Sequence, residues 1–270
     1  MADYIPPKKR FDPPYWLLAI ALLGVLALWA ILTDESYSQI FRTLSGGVFT
    51  TIWVTFTAFC LALVLGFVIA LARTSPVRAL REIATFYIEI VRGIPMLVAL
   101  FYVAFVGAPW IVEGVNWLIL PATSAGWLQP MTVRNFDFTW RAIIALTICY
   151  SAFIAEILRA GIEAVDKGQV EAARSLGLSP WNTFRHVVGP QAVRIILPPL
   201  GNDFVSMIKD SALVSALGVQ DITQLGKVFS SSSFKFFETY NVVAFLYLTM
   251  TISLSLLVRL IEQRMSKGRR

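Results

Sequence analysis

The chain has 270 residues, 57% of them hydrophobic and 15% charged, with a formal net charge of +6, whereas an average soluble domain carries roughly 25% charged residues. That deficit, and several apolar runs near the ~20 residues a helix needs to cross a hydrocarbon core, exclude an ordinary soluble domain. Open sheets are excluded because backbone groups in lipid must be satisfied internally, and a barrel because the runs lack its two-residue alternation; an all-α integral membrane protein remains.

In chain order, residues 1–15 are proline-rich and basic and read as a cytoplasmic tail. Residues 16–32 form the first apolar run. Lys8, Lys9 and Arg10 precede it as they would a signal peptide, but Leu28, Trp29 and Ala30 make a poor cleavage site, so an uncleaved spanning helix is expected. Further runs cover 48–71, 84–106, 138–158, 195–217 and 242–261, which gives six expected crossings. Residues 110–120 are too short and interrupted to span and read as an interfacial helix or folded loop. Trp110, Trp117 and Trp127 suit interface anchors there. Cys60 and Cys149 each lie in an apolar run and read as small packing residues.

Alternate sides for the loops can be tested against the basic residues. An inside amino terminus gives the cytoplasm Lys8, Lys9, Arg10, Arg73, Arg78, Arg81, Arg159, Lys167, Arg174, Arg185, Arg194, Arg259, Arg264, Lys267, Arg269 and Arg270, most of the 23 Lys and Arg. The outer ends receive Arg42, Arg134, Arg141, Lys227 and Lys235. Both termini are then cytoplasmic, with a short basic tail at 265–270, and so is the segment 159–194.

That segment is polar and sharply punctuated. Asp166 is an N-cap candidate, Glu171 to Leu176 reads as a short helix, and Gly177 can supply a left-handed terminator. Ser179 with Pro180 starts a second helix, and Gly189-Pro190 is the next expected break. Trp181, Phe184 and Val188 recur at helical spacing. On periodicity alone, an ordinary loop packed on the span ends and a docking element both remain open.

The residues Glu171-Ala172-Ala173, three more, Gly177, nine more and Val187-Val188-Gly189-Pro190 resemble the EAA loop of the membrane subunits of ABC importers. YIEIVRGIPMLVALFYVAF (87–105) and the nearly continuous stretch 150–215 are similar to permeases for polar amino acids. Gly189 stands where the family pattern has leucine. The resemblance covers about 45–264, with the coupling loop at 161–190, and leaves 16–32 outside a five-span core. It implies a type I ABC importer transmembrane domain with one extra amino-terminal span, in a bacterial inner membrane. Glu171, Ala172, Ala173, Gly177, Ser179 and Pro180 would dock on a cytosolic ATPase subunit. A second permease subunit, a periplasmic solute-binding protein and a polar amino acid substrate are the other implied partners. No GxxxxGK[ST] loop occurs, so ATP and Mg would belong to the ATPase, with no cofactor on this chain and no catalytic residue in it.

Charges inside apolar runs mark the other candidates, because a charge near the bilayer centre costs ~2.5–3.5 kcal/mol on insertion scales. Glu89 and Arg92, followed by Gly93 and Pro95, read either as a self-neutralising pair or as pathway lining. Pro198, Pro199 and Gly201 break the fifth run. Asn202, Lys209, Asp210 and Ser211 beyond them are pathway or gate candidates, with packing as the competing reading. Glu156 and Arg159 read as a structural pair, and His186 as a polar residue of the loop. A secondary transporter or channel would need coupling carboxylates, an inverted repeat or a repeated filter, and an intramembrane enzyme would need a nucleophile and base at depth; neither is evident.

Overall fold

The computed structural model describes residues 15–266; the two terminal tails expected from sequence lie essentially outside the described residues. Twelve α-helices run α1 (Tyr15–Thr33), α2 (Glu35–Arg73), α3 (Arg78–Gly93), α4 (Met96–Phe101), α5 (Ala108–Leu118), α6 (Leu120–Ser124), α7 (Phe138–Glu163), α8 (Lys167–Ser175), α9 (Pro180–Thr183), α10 (Gly189–Asp210), α11 (Ile222–Ser233) and α12 (Phe236–Ser266).

Among the described residues, four stretches are long and apolar enough to cross a membrane: Glu35–Arg73, Met96–Leu118, Phe138–Glu163 and Phe236–Arg264. The first has 39 residues, about 58 Å at helical rise, so its ends reach well past a ~30 Å core. Asp34 starts it by accepting from the Ser36 and Tyr37 amides at 2.8 and 3.2 Å, a side-chain N-cap.

The run expected at 84–106 is not one span. The chain leaves helical geometry at Ile94 and Pro95, where proline removes an amide and pushes the preceding residue extended. α3 therefore ends at Gly93, and the apolar crossing is displaced to Met96–Leu118. Residues 110–120, read from sequence as an interfacial helix or folded loop, fall in α5 and the start of α6, and the candidate span runs through α5 to Leu118. Inside it a π turn, Tyr102–Gly107, joins α4 to α5.

α7 is the centre of the bundle. Its buried residues include Ala142, Ile143, Ala145, Leu146, Tyr150 and Ile154, which pack with Val54, Ala58 and Ala62 of α2, Leu100 and Ala104 of the second crossing, and Met207 of α10. Small residues let the backbones approach. A Cβ on Gly66 would lie 2.8 Å from Ile154 Cγ2, and one on Gly201 would lie 2.5 Å from Val258 Cγ1. In lipid, association of this kind rests on packing and hydrogen bonds. Large apolar side chains remain exposed along the helices, among them Phe49, Phe56, Val64 and Phe67 of α2 and Leu256, Leu257 and Leu260 of α12; a surface so apolar suits lipid or a second subunit.

Two boundaries differ from the sequence reading for physical reasons. Gly189-Pro190 is not a break: a π turn, Phe184–Val188, carries α9 directly into α10, and the proline sits in the first turn of α10, where its missing amide costs little. Pro198 and Pro199 also lie within a continuous α10. Arg141 is not a surface charge at an outer end. It is 7% exposed, donates from Nε to Phe136 O at 2.7 Å and from Nη1 to Ala104 O at 3.1 Å, and lies over the Phe138 ring at 4.6 Å. Ala104 belongs to the π turn, whose shifted ladder leaves carbonyls for other donors.

Candidate translocation wall and coupling element

The polar segment folds as short helices with side-chain caps. Asp166 Oδ1 accepts from the Gln169 amide at 3.1 Å and opens α8. Gly177 has φ +80°, and the Leu178 and Gly177 amides donate back to Ala173 O and Arg174 O at 3.2 and 2.9 Å, the hydrogen-bond pattern of a Schellman terminator. Ser179 Oγ then accepts from the Asn182 amide at 3.3 Å, with Pro180 as the first residue of α9.

Glu171 and Ala172 are exposed on α8, while Ala173 is buried. Leu176, at the end of α8, is 82% exposed and Trp181, in α9, is 66% exposed. The apolar face of the second short helix is thus divided: Val188 is buried with Val165, Ala192 and Ile196, and Trp181 is not. That cluster, together with Gln191 Nε2 donating to Gln169 Oε1 at 2.6 Å, fixes α8 against the first turns of α10. At the base of α7, Arg159 pairs with Glu156 at 3.0 Å and with Glu163 at 2.5 Å, and Glu156 also pairs with Arg73 at the end of α2. The expected Glu156–Arg159 pair is therefore part of a four-residue joint between α2 and α7.

Arg92 does not pair with Glu89. Its guanidinium lies over the Phe153 ring at 5.5 Å, the geometry of a cation–π contact. α3 is seated on α7 by Tyr87, whose hydroxyl donates to Ile148 O at 3.0 Å. Glu89, Arg92, Gly93 and Pro95 stay exposed. Phe153 in turn meets the Tyr150 ring at 6.1 Å, and the Tyr150 hydroxyl donates to Asp210 Oδ2 at 2.7 Å. A line of side chains on α7 thereby joins Arg92 to Asp210, two candidates far apart in sequence.

Lys209 and Asp210 point apart. Lys209 borders a cavity of about 730 Å³ with residues of α1 and α12, among them Gly24, Ser253 and Arg259. Asn202 lies seven residues before Lys209 on the same face of α10, and both are exposed. Ser211 is fully buried and donates to Ile208 O at 2.7 Å. Three contributors escaped sequence reading. Tyr150 and Phe153 sit in an apolar run with nothing to mark them. Asp203 did carry a signal, an ionisable residue inside a run; its Oδ2 is buried without a hydrogen-bond partner.

Residues 62–267 match the family described as binding-protein-dependent transport system inner membrane component. The chain belongs to that family. Its members are transport permease subunits, and this chain is one by that membership and its apolar helical bundle. It is 34% identical over 227 residues to the probable amino-acid permease protein YxeN of Bacillus subtilis, covering 84% of this chain and 93% of that protein. It is 32% identical over 219 residues to the glutamine transport system permease protein GlnP of Escherichia coli K12, covering 81% and 91%. Among solved structures, an amino acid ABC transporter crystallised with histidines superposes with a TM-score of 0.70 at 35% identity, covering 87% of this chain and 98% of that one. The MetNI methionine ABC transporter shares the fold, with a TM-score of 0.63 at 19% identity.

Proposed function

We propose that this permease carries a polar amino acid inward across a bacterial inner membrane, in a complex with cytosolic ATPase subunits, a second permease subunit and a periplasmic solute-binding protein. Relatives named for amino-acid and glutamine transport support the substrate class. The span count in this reading is six: α1 as an extra amino-terminal crossing, then α2, α4–α5, α7, α10 and α12 as a five-span core, with both termini cytoplasmic. ATP and Mg act in the ATPase, and this chain contributes no catalytic group.

The observation that carries the coupling assignment is the attachment of α8. Its buried face and the Gln169–Gln191 bond fix it to α10, while Glu171, Ala172, Leu176 and Trp181 remain free for a partner. Closure of two ATPase subunits would move this docked element, and α10 would tilt with it. At the far end of α10, Asp203 and Asp210 share the face toward α7. With Arg92 at the other end of the aromatic line, that wall presents both signs of charge to a passing amino acid. The buried, unpartnered Asp203 oxygen is suited to an ammonium group, since an unsatisfied buried carboxylate is costly.

The test is Glu171→Arg. The variant is expected to lose copurification with the ATPase and transport-linked ATP turnover while the permease itself elutes normally. Full retention of both would remove α8 from the coupling role.

A further inference from the structure

Between α10 and α11 the chain passes from one packing unit of the bundle to another. Directly after Asp210 it winds as a 3₁₀ helix, Ser211–Leu217, and then turns at Gly218 with φ +81°. Val214, Leu217 and Val219 pack in the core around α7, whereas Ile222 packs with Leu44 of α2 and with Val242 and Leu246 of α12. This 3₁₀ helix has 7 residues, where runs beyond ~3–4 are uncommon. Both of its ends are tied. At the near end Asp210 accepts from the Tyr150 hydroxyl at 2.7 Å. Beyond the far end the fully buried Asp221 accepts from the Tyr247 hydroxyl of α12 at 3.1 Å.

The second tie is more than a helix cap. Asp221 Oδ1 caps α11 at the Gln224 amide, and Oδ2 is the oxygen that meets Tyr247. The Thr223 hydroxyl lies 3.0 Å from the Tyr247 oxygen, the Ile222 amide donates to Thr51 Oγ1 of α2 at 3.4 Å, and Gly47 of α2 packs directly on the same backbone. We propose that Asp221 and Tyr247 are positioning residues for the pathway wall: their hydrogen bond holds the far end of the 3₁₀ helix and, through it, keeps Asp210 within reach of Tyr150. Rewound from 3₁₀ to α geometry, the segment would shorten by about 3.5 Å, more than a hydrogen bond can absorb. Tied at both ends, it cannot rewind. Without the Tyr247 tie it can, and Asp210 is drawn away from α7. The consequence for transport rests on the pathway reading of Asp210 above; the placement of Asp210 does not.

The test puts 3-fluorotyrosine at position 150 of the full-length permease in nanodiscs, where the fluorine resonance reports the bond to Asp210. Asp210→Ala marks the resonance position when that bond is absent. Tyr247→Phe is nearly isosteric and leaves the cap at Gln224 in place. It is expected to move the resonance of residue 150 most of the way to the Asp210→Ala position, although Tyr150 is in α7 and Tyr247 in α12. A side chain that only stabilises α11 would leave the resonance where it is, and an unmoved resonance overturns the inference. If Tyr247→Phe does not fold, Asp221→Asn takes its place, since asparagine retains the cap and offers Tyr247 one acceptor fewer; the same shift is expected, and an unmoved resonance again contradicts. Uptake by vesicles containing the full transporter completes the test. Tyr247→Phe should lower it about fivefold in the wild type and less than about twofold in Tyr150→Phe, because residues in one network are not additive. Equal falls in both backgrounds would overturn positioning through Asp210. A shifted resonance with wild-type uptake in both single variants would instead remove Asp210 from the pathway and leave the positioning role standing.

Discussion

At the scale of single residues, the contacts that matter most are those with no room for adjustment. Gly47 faces the backbone of the turn before α11, and a Cβ there would lie 2.6 Å from the Ile222 amide and 2.7 Å from the Asp221 carbonyl carbon. Backbone cannot rotate away as a long side chain can, and the Asp221 side chain adds rigidity: it is fully buried, caps α11 at the Gln224 amide (2.8 Å) and accepts from the Tyr247 hydroxyl at 3.1 Å. Gly47→Ala should therefore cost about 1–3 kcal/mol by overpacking, read as a lower unfolding temperature in detergent. Gly46→Ala, with nothing within 4 Å, should leave that temperature unchanged. Tyr150→Phe removes the hydrogen bond to Asp210 without changing ring packing. A hydrogen bond to a charged group contributes ~1.5–3 kcal/mol, so uptake should fall about tenfold or more at normal assembly; wild-type uptake kinetics would take Tyr150 off the pathway wall. None of these contacts is written in the local sequence. Gly47 is one of two adjacent glycines with opposite surroundings, and Tyr150 meets a partner 60 residues away.

At the scale of elements, Pro180 to Asp210 is helical throughout, from the turn after α8 to the face that carries Asp203 and Asp210. The sequence legibly marks its start, through Ser179-Pro180, and the caps of α8, through Asp166 and Gly177, because those signals are local. It misleads at Gly189-Pro190 and Pro198-Pro199, since a proline ends a helix only when no neighbouring packing compensates for the lost amide. The π turn at Phe184–Val188 absorbs the register change before Pro190. It also misleads at 84–106, where hydropathy runs on across Pro95 but backbone geometry does not. A rigid link of this length makes a mechanical prediction. Inserting three glycines after His186 should leave α8 able to bind the ATPase but disconnect ATP turnover from uptake. Coupled uptake at the wild-type ratio to ATP hydrolysis would show that force does not travel along this helix.

For the whole molecule, composition points to a helical membrane protein, and the EAA pattern resembles that of motor-driven permeases. What the sequence withholds is which charges meet: Arg92 with Phe153 rather than Glu89, Arg73 with Glu156 across two helices, and Lys209 turned away from Asp210. Such pairings depend on helix rotation, which a run of apolar residues does not fix. The transport proposed for this permease is driven by a separate ATPase and supplied by a binding protein. The permease should be reconstituted in vesicles with its ATPase and supplied with ATP on the ATPase side and binding protein plus labelled amino acid on the opposite side. Accumulation that requires ATP, ATPase and binding protein together is the predicted result; accumulation that proceeds without ATP or without the ATPase, driven by an ion gradient or by the solute's own gradient, would contradict it.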